Sequence, residues 1–422
     1  MRSIVTTLCM ILATATMQAQ TNYVWEPERF RSLRITIDDD PLLPPIIRLD
    51  ERQRLEISFD EMGHDYHRLV YHIYHCSYDW SAVEGESLFE SDYLEGINGQ
   101  PVEDYDISFN TTQLYTHYRL TIPNDDIHLR LSGNYRVEVY DEDNYNSGNE
   151  PEPLLKAEFC VLENGMTIQG DVTTNTDIDF NQSHQQISYG INYGALRVID
   201  PLKEIHTIVM QNRREDNAIH DLEPNIRKAN GIEFTHRKEL IFPAGNEFHK
   251  FETIDMHRPN LNIDKLRWYP PFYHSTIYAD RPGRNYIYDE DVNGKSILRN
   301  AEYDDEEITS EYLWVHFTLK CDEPLPGEDV YVCGQWTNGS WDKDCRMTWD
   351  DTTKEYNAAL YLKQGYYNYQ YRQPQAESGK GITRWTEGDF YETENEYSIL
   401  VYYRPQGGRY DRLVAHTILK TP

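Results

Sequence analysis

Between Gly365 and Tyr371 the sequence GYYNYQY places four tyrosines in seven residues, and Tyr367, Tyr369 and Tyr371 recur at every second position. Successive side chains of a strand point to opposite faces, so this spacing lines one face of a strand with aromatic rings. A face of that size has to be packed against something. The same period-two alternation recurs in Arg54–Phe59 (RLEISF), Leu69–Cys76 (LVYHIYHC), Tyr115–Ile122 (YTHYRLTI), Gly133–Tyr140 (GNYRVEVY) and Leu313–Leu319 (LWVHFTL). These runs predict half-buried strands throughout, and hence an all-β chain.

At 422 residues the chain is long for one sandwich, and a prior of about 150 residues per domain suggests three modules. Turn signals at sandwich spacing support tandem immunoglobulin-like β-sandwich modules. The first is expected over residues 20–163 and a middle, mostly-β module over 164–303. A C-terminal sandwich is expected over 304–422, entered through the acidic linker Tyr303–Glu311. Its seven expected strands are Leu313–Leu319, Asp329–Cys333, Cys345–Trp349, Tyr356–Leu362, Tyr366–Arg372, Glu396–Arg404 and Arg412–Leu419. The aromatic and proline-rich stretch Leu266–Tyr288 reads as an ordered connector, serving either as packing at a domain junction or as an interaction surface.

Arg2, the apolar stretch Ile4–Ala15 and Met17-Gln18-Ala19 fit a cleavable secretory signal, residues 1–19, with cleavage after Ala19. No later stretch is long and apolar enough to span a bilayer as a helix, which implies no direct membrane insertion. With 71 acidic residues against 40 Lys and Arg, the formal net charge of −31 argues against nucleic acid as a partner, because phosphate contacts need clustered cations. The 33 Tyr, 13 Phe and 8 Trp supply core area that aliphatic residues do not.

Beyond the signal stand Cys76, Cys160, Cys321, Cys333 and Cys345, an odd number. Cys76 and Cys160 either bridge within the first module or pack as small apolar groups; the three later cysteines lack the tighter spacing of a zinc site. Asp289, Asp291, Asn293 and Gly294 match the start of a calcium loop, but the twelfth position is Asn300 instead of glutamate, so a solvated turn is expected. His72 and His75, three apart on an expected strand, point to opposite faces. There is no G-x-S-x-G, H-E-x-x-H or phosphate-binding glycine loop. The residues therefore offer no catalytic centre, no cofactor and no small-molecule substrate.

Val330–Trp341 (VYVCGQWTNGSW) followed by Glu355–Arg372 (EYNAALYLKQGYYNYQYR) is similar to the starch- and glycogen-binding sandwich pattern. Trp336 and Trp341 would then either stack on sugar rings or plug the end of a sandwich. A longer resemblance runs through DVYVCGQWTNGSW, LKQGYYNYQYR and EGDFYETENEYSILVYYRPQGGRYDRL, with RLDERQRLEISFD, YHIYHCSYDW, SDYLEG and SGNYRVEVY in the first module. In this order the chain resembles the plug protein family of the Bacteroidetes type IX secretion system. That resemblance implies a non-enzymatic, periplasmic subunit held at the outer membrane through a protein partner. Its role would be to seal the periplasmic opening of the large β-barrel translocon when no cargo is engaged. The alternatives are a secreted carbohydrate-binding protein and a cargo of the same system. Candidate partner-binding residues are Trp336, Trp341, Tyr391, Glu392, Asn395 and Tyr397.

Overall fold

The structure, a computed structural model, describes residues 22–81, 88–146, 152–337 and 341–422. The expected signal peptide, 1–19, lies outside the described residues. The chain is nearly all β and folds into three sandwiches. In the first, Phe30–Ile37, Leu55–Met62, Tyr115–Ile122 and Asp104–Ile107 form one sheet. It faces a sheet built on Leu69–Cys76, Gly133–Asp141 and Leu155–Leu162. Leu55, Ile57 and Phe59 take alternate positions and meet Ile73, Val137 and Phe159 in the core, as the period-two pattern requires.

The second sandwich sets Thr167–Thr173, His184–Asn192 and Gly231–Phe234 against Ile205–Gln211, Glu396–Tyr403 and Arg412–Lys420. Two strands expected in the C-terminal module, Glu396–Arg404 and Arg412–Leu419, therefore belong here. Tyr397, Ile399, Val401 and Val414 bury into the core beside Ile187, Ile191 and Phe234. The expected module 304–422 is corrected accordingly. The third sandwich is inserted between Ile241–Pro243 and Glu396–Tyr403, and the boundary expected at 303/304 falls inside it. Sequence order misled here because an antiparallel strand pairs with whichever edge its apolar face fits, not with its neighbour in the chain.

In the third sandwich Gly365–Pro374 pairs with His249–Glu252, Ser296–Leu298 and Tyr331–Cys333. The facing sheet runs Ile263–Tyr269, Phe272–Ile277, Tyr312–Lys320, Glu355–Lys363 and Thr348–Asp350. Leu266–Tyr288 thus contains a strand pair, not only a connector. Pro270 and Pro271 occupy its two-residue turn, where neither proline has to donate to the ladder.

All five described cysteines are free and buried. Cys76 and Cys160 sit on the strands flanking Asn134, which pairs with both. Two strand spacings, roughly 10 Å, exceed the reach of a disulfide.

Candidate partner-binding surface

The tyrosine strand Gly365–Pro374 is buried on both faces. Tyr367, Tyr369 and Tyr371 enter the core of the third sandwich, and each hydroxyl finds an acceptor. Tyr369 and Tyr371 each donate to Asp280 Oδ2 at 2.7 Å, and Tyr367 donates to the Lys363 carbonyl at 2.5 Å. That satisfaction matters, since a buried hydroxyl without a partner costs about 1–3 kcal/mol. The opposite face is buried as well: Asn368 accepts from the Val292 amide, Gln370 donates to the Asn246 carbonyl, and Arg372 lines the cleft where the three sandwiches meet.

The first and third sandwiches meet through charge. Asp60 and His117 are paired across neighbouring strands, on the face of their sheet opposite the hydrophobic core. Such positions are ordinarily solvated, yet both are buried. Lys363 Nζ donates to Asp60 Oδ2 at 2.6 Å, the Tyr312 hydroxyl donates to the same oxygen at 2.6 Å, and His117 Nδ1 lies 2.6 Å from Oδ1. Lys363 also donates to the Glu307 carbonyl at 2.6 Å. The Glu307 carboxylate lies 2.7 Å from Arg119 Nε and 3.3 Å from His117 Nε2. Burial works against the Asp60 carboxylate, but Lys363 and His117 outweigh it and hold its pKa below the ordinary value. His117 and Arg119, both close to it, hold the Glu307 carboxylate well below the usual carboxylate range. Glu311 adds a neutral-donor clamp, accepting from the Thr112 and Gln113 amides at 2.7 and 3.2 Å.

The other seams are built differently. The first and second sandwiches share a continuous ten-stranded sheet, through the parallel pair Leu162 and Leu413. Cys160, Leu162, Met210, Leu400 and Tyr402 pack beneath that join. Between the second and third, Arg214 pairs with Asp216 at 2.6 Å and donates to the Gly381 carbonyl, while the Gly381 amide donates to Asp216. These contacts fix three modules relative to one another.

The candidate contact residues fall into distinct classes. Asn395 is buried, donating to Gln185 Oε1 and the Ala244 carbonyl, and Tyr397 is completely buried, donating to Gln185 Oε1 at 2.7 Å. Neither can touch a partner; both are corrected to structural roles within the second sandwich, because Asn395 immediately precedes the returning strand Glu396–Tyr403 and Tyr397 lies at its start. Trp336 packs against Phe317 and Tyr367, with its Nε1 buried. Trp341 is half-buried beside Tyr331 and donates to the Gly379 carbonyl at 3.0 Å. Glu392 is exposed and Tyr391 is half-buried. The six are not one patch.

A denser exposed apolar surface lies across the first and third sandwiches. Asp104–Ile107 is an edge strand exposed at every position. Tyr105 stacks on Tyr66 at 4.3 Å, and beyond Ile107 come Phe109, 62% exposed, and Leu114, 50% exposed. Phe109 meets Tyr303 edge-on, and its amide donates to the Ile308 carbonyl at 2.8 Å. At the hairpin tip Trp268 is 43% and Tyr269 55% exposed. The Gln113 side chain donates to the Pro271 carbonyl at 3.3 Å, joining the two modules at this surface. Large apolar side chains gathered in this way mark interaction sites, whereas isolated ones are unremarkable. The hairpin aromatics were visible in Leu266–Tyr288; Phe109 and Leu114 carry no signal of their own, lying in an ordinary loop between strands.

Comparison with known proteins gives concordant results. A family model described as the type 9 secretion system plug protein first domain matches residues 30–163, the first sandwich. A crystal structure of a hypothetical protein from Parabacteroides merdae ATCC 43184 superposes with a TM-score of 0.88 at 37% sequence identity, covering 93% of this chain and 98% of that one. That likeness spans the whole three-sandwich arrangement. No curated protein matches the chain.

Proposed function

Because the chain belongs to the type IX secretion system plug protein family, we propose that it is a non-enzymatic plug that seals the periplasmic opening of the outer-membrane translocon barrel when no cargo is engaged. The match over 30–163 carries the reading. A wide secretion pore has to be closed by something that keeps its shape, and the three seams give the body that property. Their buried ion pairs and shared sheet resist the hinge motion that ordinary inter-domain linkers permit.

The plug meets the barrel through the surface of Tyr105, Ile107, Phe109, Leu114, Trp268 and Tyr269. Aromatic anchors within a polar rim suit a contact that forms and releases, since a few large side chains carry most of the energy of such interfaces. The protein reaches the outer membrane through this contact; among the described residues no helix is long and apolar enough to cross a membrane. The carbohydrate-binding alternative loses its main support, because Trp336 packs inward.

Affinity purification from cells carrying a tagged copy tests the reading. The wild-type protein brings down a large outer-membrane β-barrel; Phe109→Glu with Trp268→Glu leaves thermal stability nearly unchanged and reduces recovery about tenfold or more. Failure of the wild-type protein to recover any barrel contradicts the function, while equal recovery by the double variant relocates the surface.

A further inference from the structure

A cleft of about 210 Å³ lies where the three sandwiches converge. Arg34 comes to it from the first, Arg213 and Arg214 from the second, and Lys295 and Arg372 from the third. The acidic residues lining it are Glu158 and Glu215. In a chain of net charge −31, this is a local reversal of sign.

The partners of the five cations divide them. Arg214 is paired with Asp216, and Lys295 with Glu396. Arg34, Arg213 and Arg372 form no direct ion pair among the described residues, and carboxylates act on them only at longer range: Glu307 and Asp60 on Arg34, Glu396 and Asp40 on Arg213, Asp216 and Glu387 on Arg372. Arg372 is 6% exposed and donates to the neutral Gln370 Oε1 at 3.2 Å. Arg213 donates to the Leu42 carbonyl at 2.7 Å, while its Nε is buried without a hydrogen-bond partner. Glu158 is engaged by Arg136 and Lys156. Burial and the neighbouring Glu158 and Asp216 push Glu215 up to about 7, so that carboxyl supplies only part of a counter-charge at neutral pH.

Guanidinium groups wholly or partly withdrawn from water without a directly paired carboxylate are costly unless something else neutralises them. We propose that the cleft binds a small multivalent oxyanion, of polycarboxylate or phosphate type, with Arg34, Arg213 and Arg372 as its ligands. Guanidinium forks match the planar carboxylate and the phosphate oxygens. The volume suits an anion of this size and is below the usual range for drug-sized ligands. Bound there, the anion touches all three sandwiches at once and stabilises their mutual arrangement. The site is independent of the aromatic surface assigned to the barrel.

Calorimetric titration of the purified protein with citrate and with inorganic phosphate, at constant ionic strength, tests this. Saturable binding of either is expected, accompanied by a higher thermal midpoint than sodium chloride gives. Binding of citrate alone assigns a polycarboxylate, and binding of phosphate alone assigns a phosphate group. Arg213→Gln and Arg372→Gln each weaken binding about tenfold or more, the effect of losing one charge-assisted contact. Leu43 lines the cleft and is 42% exposed, so Leu43→Glu introduces a repelling charge without disturbing a core; it too weakens binding. No saturable heat with either anion, a midpoint shift matched by chloride, or wild-type affinity in Leu43→Glu and Arg213→Gln overturns the proposal.

Discussion

Asp60 stands at a polar position of an alternating strand, yet it is completely buried, because the third sandwich covers the face a lone sandwich would leave in water. Removing Lys363 strips the Asp60 carboxylate of the larger of two counter-charges and leaves only His117 as the other. Lys363→Met is expected to destabilise the protein by about 3–5 kcal/mol, and Asp60→Asn with Lys363→Met to cost distinctly less, measured by denaturant unfolding. His75 offers a pH test. Burial pushes its imidazole down to about 4, and it donates to the Ser132 carbonyl at 3.0 Å. A base with a lowered folded pKa contributes fully above its unfolded value, near 6.5, and that contribution is lost as pH falls toward 4. His117, raised by Asp60 against burial, keeps its contribution throughout that window and loses it only above about 6.5. Glu215 shifts the opposite way, so total stability is not the readout. The measurement is the stability difference between wild type and His75→Gln, which moves toward the variant by up to about 3 kcal/mol between pH 7 and pH 4. A pH-independent difference contradicts a buried neutral imidazole.

Gly133 begins the strand Gly133–Asp141 with φ +123°, and a Cβ there would lie 2.6 Å from the Asp411 carbonyl oxygen across the seam to the second sandwich. Gly133→Ala is expected to lose about 2 kcal/mol, read from the thermal midpoint, through both the backbone conformation and the close approach. Individual strands were legible in the sequence: Leu69–Cys76 and Tyr115–Ile122 stand where their alternation puts them. Alternation reports a face, though, and says nothing of what lies against it. His117 and Asp60 look solvent-facing by pattern, and their burial depends on a module some 190 residues or more further along. The hairpin at Trp268–Tyr273 was obscured because two prolines read as an interruption, whereas they form the turn. Of the candidate contact residues, Asn395 and Tyr397 were misplaced for the same reason as their strand. Their segment is polar enough to resemble a surface loop, but its hydrogen bonds go to Gln185 and Ala244.

At the scale of the molecule, the second sandwich is made from two separated stretches of chain, with the third sandwich between them. A fragment of residues 304–422 should therefore fail to fold, because Ile399, Val401 and Val414 lose the core they complete; dispersed amide resonances in that fragment would show otherwise. Truncation after residue 388 should likewise unfold the second sandwich. The same interleaving makes the three modules one body, as the proposed role of closing a wide pore demands. The most direct measurement is the conductance of the purified barrel in a planar bilayer, before and after the protein is added on its periplasmic side. A large, reversible fall in conductance is expected, and Phe109→Glu with Trp268→Glu no longer produces it. An open barrel whose conductance is unaffected by saturating wild-type protein would contradict it.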